Sequence, residues 1–148
     1  MADTEISLAP VNKMIVINAA PSKVWDALTN PELMEQWMSE TEIDIITDWQ
    51  VGNSITIEGA WYKTRFENKG IVLQFEPEHI LQYSHLSSLS RLQDKTENYS
   101  VISFKLTPTE NQTTLALTLS NFPTEIICKH LIFYWNVTLE ILKKQAEQ

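Results

Sequence analysis

The spacing of apolar residues along this chain changes twice, and each change marks a change of element. Met14-Ile15-Val16-Ile17 is a short β-branched run that predicts a first strand. The run ends at Ala19-Ala20-Pro21, where proline suits the first position of a helix. Val24, Trp25 and Leu28 then describe a short amphipathic helix. Asn30-Pro31-Glu32 opens a second: a capping residue, proline at the first helical position, an acid in the first turn. Leu33, Met34, Trp37 and Met38 give it an apolar side. From Glu42 the period falls to two. Ile43, Ile45 and Trp49 form one alternating set, Gly52-Asn53 signals a turn, and Ser54 to Glu58 alternates cleanly. A strand from Lys69 to Phe75 carries Ile71, Leu73 and Phe75 on one face. Pro77-Glu78 turns the chain into Ile80 to Ser84, and the polar stretch from Ser87 to Asn98 reads as a loop. Ile102, Phe104 and Leu106 share a face in the next strand, and Leu115, Leu117 and Leu119 in the last. Residues 1–12 are polar and expected to be loosely held, unless Ile6 and Leu8 start a strand.

The period then lengthens again. The stretch from Asn121 to Gln148 reads as one long helix, with Asn121 or Thr124 as N-cap and Lys143 and Lys144 at the carbonyl end of its dipole. Ile127, Leu131, Tyr134, Trp135, Thr138, Ile141 and Leu142 recur at three- and four-residue spacing and define its buried face. About 20 residues at 1.5 Å each make roughly 30 Å, so the helix must lie across a sheet or another helix. Ile126 and Phe133 fall off this stripe. They are expected to pack beneath a loop, the other reading being a partner or dimer patch.

The order strand, two short helices, six strands, long helix describes an α+β protein. Alternation with one wet face is the habit of an antiparallel sheet, and the short turns between successive strands predict a meander. Such a sheet, curved around the long helix, covers the apolar faces of both. This order resembles the helix-grip fold of the START and birch-pollen-allergen (SRPBCC) superfamily. Four stretches resemble its branch of activators of heat-shock-protein-90 ATPase homologues: Ala20 to Glu32 followed by Trp37; Lys69 to Leu73 through Pro77 to Ser84; Leu89 to Tyr99; and Trp135 through Leu139 to Lys143. Together they span the chain from about residue 13, and we read residues 1–148 as one START-like domain. The chain departs from the pattern at Asn53 and Arg91, where glycine is usual, and at Thr96, where proline is.

Composition narrows the function. A chain of 148 residues, 43% hydrophobic and with five Trp, is long and apolar enough for a core. The net charge of −8 argues against nucleic acid or an anionic membrane as partner, since both require basic patches. The single cysteine, Cys128, excludes an intrachain disulfide framework and suits a reducing compartment. Met1 to Pro10 has no basic segment followed by an apolar run, and no stretch reaches the roughly 18 apolar residues of a membrane span. A cytoplasmic protein, monomeric or weakly dimeric, is the expectation.

No catalytic constellation is visible. His79 and His85 stand six residues apart on a strand, too far to chelate one ion, and His130 is on the helix, so no metal site is expected. With three glycines and no phosphate-binding loop, no cofactor is expected either. Cys128 reads as a small core residue. Asp48, Glu58 and Glu67 read as solvated carboxylates. The stretch Gly59 to Glu67 carries three aromatics and two cations. It is either a hairpin capping the core or a lip over a cavity and a surface for protein contact. Trp37 either packs in the core or faces the same mouth.

The superfamily resemblance implies a small, largely apolar ligand held between sheet and helix. The set expected to line that gap is Trp37, Ile57, Trp61, Phe66, Leu73, Phe104, Leu131 and Trp135. The narrower resemblance implies instead an interaction module with a chaperone partner. A cyclase- or hydratase-like enzyme, which the superfamily also contains, is the third reading. Fold alone does not choose among them.

Overall fold

A computed structural model describes residues 8–148, apart from the side chain of Trp61. Seven strands form one antiparallel sheet: β1 (Val11–Ile17), β2 (Ile43–Thr47), β3 (Ser54–Trp61), β4 (Thr64–Glu76), β5 (Ile80–Ser87), β6 (Ser100–Thr109) and β7 (Gln112–Ser120). Three helices accompany them: α1 (Pro21–Thr29), α2 (Pro31–Met38) and α3 (Glu125–Ala146). The order across the sheet is β1-β7-β6-β5-β4-β3-β2. Strands β2 to β7 are therefore the expected meander, and β1 closes the far edge by pairing with β7. The sheet curves around α3, which is the helix-grip arrangement. Of the amino-terminal stretch, Ile6 lies outside the described residues, and Leu8 to Pro10 form no strand.

Each helix starts for a local reason. Asn30 caps α2 by accepting from the Glu32 N–H at 3.0 Å, and Pro31 follows it. Thr124, not Asn121, caps α3, accepting from the Ile127 N–H at 3.1 Å. The buried stripe of α3 is Cys128, Leu131, Trp135, Thr138, Leu139, Leu142 and Ala146. This corrects the expected face at two places: Ile141 is turned toward solvent and Leu139 is buried. Ile126 and Phe133 are not covered by a loop; they are 79% and 71% exposed. Cys128 is buried as a small core residue.

The core is continuous from the β6 and β7 rows, through α1 and α2, to the α3 stripe. Leu115, Leu117 and Leu119 are fully buried, and Phe104 meets Trp135 edge to face at 5.5 Å. Strand β4 corrects the sequence reading. Its inward row is Phe66, Asn68, Gly70 and Val72, while Ile71 and Leu73 face outward. A register shift between Val72 and Gln74 then returns Phe75 to the core side. Apolar residues stand on both faces of this strand, and a polar residue and a glycine occupy the inner one. Alternation alone therefore selected the wrong row. Gly70 is there for space: a Cβ would sit 1.7 Å from the Ser84 carbonyl oxygen.

Candidate functional site

Between α3 and the inner faces of β3 to β6, a cavity of about 340 Å³ remains. Ile57 on β3, Phe66 and Asn68 on β4, and Ile43 on β2 form one wall. Tyr83, His85 and Leu86 on β5, with Ser100 and Ile102 on β6, form the floor. Ile127, His130, Leu131, Tyr134 and Trp135 of α3 close it from the other side, and Met38 at the end of α2 closes one end. The loop after β5 contributes Leu89, Ser90, Leu92 and Asn98. Among the described residues, no Asp, Glu, Lys or Arg lines this space.

The walls are fixed by local chemistry. Gly59 gives up a side chain so that the Phe66 ring can lie against β3, since a Cβ there would meet that ring at 2.8 Å. The Tyr134 hydroxyl donates to the Met38 carbonyl at 2.6 Å and ties α3 to the end of α2. Trp135 is held edge to face by Tyr134 at 5.1 Å and by Phe104 at 5.5 Å. Lys69 pairs with Asp94 at 2.6 Å and Tyr99 donates to the same carboxylate at 2.5 Å, which pins the loop over the cavity. Those two hydrogen bonds, Lys69 first, hold the Asp94 carboxyl below its ordinary range.

Most of the cavity surface is apolar, with Ser, Asn, His and Tyr side chains among the lining residues. Burial pushes the His85 imidazole down to about 4, with His130 opposite adding to the shift, so His85 is neutral at physiological pH. Burial raises Tyr134 to about 12 and Tyr83 further still. Two atoms among the lining residues are buried without a hydrogen-bond partner: the acceptor Asn68 Oδ1 and the donor Trp135 Nε1. Buried polar atoms are rarely left unpaired, and both of these lie beneath the cavity surface.

Of the residues expected to line the gap, Ile57, Phe66, Leu131 and Trp135 meet there. Trp37 and Phe104 do not reach it. Trp37 is core, its Nε1 donating to the Ala27 carbonyl at 2.8 Å, and Phe104 packs behind Trp135. Leu73 points away, 37% exposed on the outer sheet face, because of the β4 register. The side chain of Trp61 lies outside the described residues. Sequence reasoning missed Asn68, Tyr83, His85, His130 and Tyr134. The phase of β5 pointed to one of them: His85 stands two places beyond Tyr83 and four beyond Leu81, on the same alternating row. The stretch Gly59 to Glu67 is a continuous hairpin with Tyr62 and Lys63 at its tip. Among the described residues no group of three His, Cys, Asp or Glu could hold a metal ion. No helix among them is long and apolar enough to cross a membrane.

Comparison with known proteins places this architecture. The family model described as "Activator of Hsp90 ATPase homolog 1-like protein" matches residues 18–147. A Cytophaga hutchinsonii protein solved in solution is 39% identical, with 93% of each chain covered and a TM-score of 0.78. The solution structure of the Aha1 dimer from Colwellia psychrerythraea is 27% identical over 95% of this chain and 97% of that one, at a TM-score of 0.72. A crystal structure from Chromobacterium violaceum shares the fold at a TM-score of 0.78 with 16% identity, covering 95% and 99%. No curated protein matches the chain.

Proposed function

The chain belongs to the Activator of Hsp90 ATPase homolog 1-like family, and from that premise we propose that it is a non-enzymatic binding module for a small, uncharged, largely apolar molecule. The observation that carries this reading is the cavity itself. It has about 340 Å³ of space, a mostly apolar surface and, among the described residues, no Asp, Glu, Lys or Arg along it. Uncharged follows from electrostatics. A carboxylate brought into this space would shed its hydration and find no cation, since His85 stays neutral. One hydroxyl or carbonyl on the ligand suits the Ser, Asn and His side chains among the lining residues, because a hydroxyl both donates and accepts. The cavity's titratable side chains are His85, His130, Tyr83 and Tyr134, with no carboxylate among them to orient an imidazole as a base, which supports binding over turnover.

The test is a thermal-shift series of long-chain alcohols, sterols and hydroxylated aromatics, each beside its carboxylate counterpart. Native mass spectrometry of the protein as purified accompanies it. A ligand at about a hundred times its dissociation constant stabilises by roughly 2.7 kcal/mol, a shift of several degrees. Ile57→Trp, which fills the cavity from β3, is expected to abolish the shift and leave a folded protein. No shift with any neutral compound, together with nothing co-purifying, sinks the proposal.

A second reading is an interaction module for a chaperone of the Hsp90 class, the partner that the family's name carries. One observation favours it: Tyr62, at the tip of the β3–β4 hairpin, is 87% exposed with Lys63 and Arg65 beside it. Stimulation of such a chaperone's ATPase that Tyr62→Ala weakens would establish this reading. No stimulation at saturating concentration would remove it.

A further inference from the structure

The side of α3 turned away from the sheet carries a second apolar stripe. Ile126, Phe133, Val137 and Ile141 recur at seven- and four-residue spacing, which keeps them on one face. They are 79%, 71%, 50% and 39% exposed. Neither neighbour of α3 covers them. On one side Lys13 bonds Asn136 and Lys143 Nζ donates to the Val16 carbonyl, fixing β1 below the stripe. On the other, Tyr134 and Gln145 hold α2. A helix that is apolar on both faces is expected where both faces are covered.

We propose that a second copy of this chain covers the stripe, its own α3 packed antiparallel about a two-fold axis beside the Phe133–Val137 stretch. Charge argues for this occupant. Antiparallel about that axis, Phe133 of each copy falls on Val137 of the other. Lys129, which pairs within its own helix with Glu125 at 2.9 Å, then stands opposite Glu140, a pair that occurs twice by symmetry. Lys129 and Glu140 flank the stripe on the same side, the side that meets itself in an antiparallel pair. In a parallel pair this charged flank would meet the opposite one, which carries His130 and Ile141 and no acid or permanent cation. Such matching matters for a chain of net charge −8, whose copies otherwise repel. His130 lies beside the stripe and also lines the cavity, so the interface borders the cavity mouth.

The experiment is sedimentation equilibrium of the full chain from roughly 5 to 500 µM. A single helix face buries an area at the small end of specific interfaces, so a reversible dimer with a dissociation constant of tens to hundreds of micromolar is expected, on the order of 6 kcal/mol as a binding free energy. Phe133→Glu is expected to weaken it at least tenfold. Lys129→Glu and Glu140→Lys are each expected to weaken it several-fold, and the double variant to recover most of the loss. All three positions are exposed, so each variant keeps the parent's melting temperature, which circular dichroism checks. A wild-type chain that stays monomeric throughout overturns the proposal. So does a dimer indifferent to Phe133→Glu, or a double variant no better than its parents.

Discussion

His85 is a single ring whose surroundings make a measurable pH signature. Its imidazole stands at about 4 in the folded protein against 6.5 for a free histidine, chiefly through burial. Between those values the unfolded chain binds the proton and the folded one does not. Stability is therefore complete above about pH 6.5 and falls as pH drops toward 4, where roughly 3 kcal/mol has been lost. Asp48, Asp94 and Glu147, held low by hydrogen bonds, lose their contributions further down, so the range above about pH 5 isolates the histidine. Urea unfolding between pH 5 and 7 should show this slope, and His85→Gln should flatten it. Backbone conformation makes another prediction at this scale. Of the two positions where glycine was expected, Arg91 has φ 61°, in the left-handed region, whereas Asn53 is not among the residues with positive φ, and its side chain bonds Asp48 at 2.8 Å. Arg91→Gly should therefore raise stability by about 0.5–1 kcal/mol, and Asn53→Gly should lower it. Gly70→Ala, which drives a Cβ into the Ser84 carbonyl, should cost about 2–4 kcal/mol. Equal midpoints for Arg91→Gly and wild type would show that the loop relaxes the strain elsewhere.

Helix α3 is the element on which the sheet depends. Its Leu142 is wholly buried and Leu131 nearly so, and with α1 it covers the rows Ile102–Phe104–Leu106 and Leu115–Leu117–Leu119. Leu142→Ala should cost about 2–5 kcal/mol by lost burial plus the hole left behind, a large share of a small domain's stability. Removing the chain after Asn121 should abolish cooperative unfolding; a sharp, near-native thermal transition of the shortened chain would refute this dependence. Strand β4 shows where element-scale reading stops. Its sequence offers Ile71-Leu73-Phe75 as an alternating row, but the observed inner row runs through Asn68, Gly70 and Val72 before the register shift. The choice of row was made by the Gly70–Ser84 contact, which lies across the sheet and leaves no trace in local periodicity.

Across the whole molecule, packing is uneven by design of the fold. The long helix packs against β1, α1 and α2 and meets β6 through Trp135 on Phe104, and it stands off β3 to β5, where the cavity remains. The loop over that end is tied chiefly by side chains, Lys69 and Tyr99 to Asp94 and Glu67 N–H to Ser88, most of them exposed to water. Exposed ion pairs add little. Hydrogen exchange should therefore be fastest in residues 88–99 and at the Tyr62–Lys63 tip, and slowest in β6, β7 and the middle of α3. A ligand in the cavity should slow exchange in the 88–99 loop while leaving β7 unchanged. Uniform protection across the chain would mean that no such division exists.

What the sequence determined by itself was the list and order of elements: one strand, two short helices that open on proline, six strands and a long helix, all in place because caps, prolines and periods of two and 3.6 are local properties. It also determined part of the cavity wall, since Ile57, Phe66, Leu131 and Trp135 are bulky apolar residues on inward rows. Only the tertiary structure decided the rest. Asn68, Tyr83, His85, His130 and Tyr134 come from three different elements, and nothing in their spacing along the chain brings them together. Only the tertiary structure set aside Leu73, Trp37 and Phe104, the first because Gly70 and Val72 take the inner row of β4 and the others through closer packing behind Trp135. The physical reason is one of range. Hydrogen-bonded periodicity acts over a few residues and can be read in order, whereas a cavity is the space that remains after distant surfaces have packed.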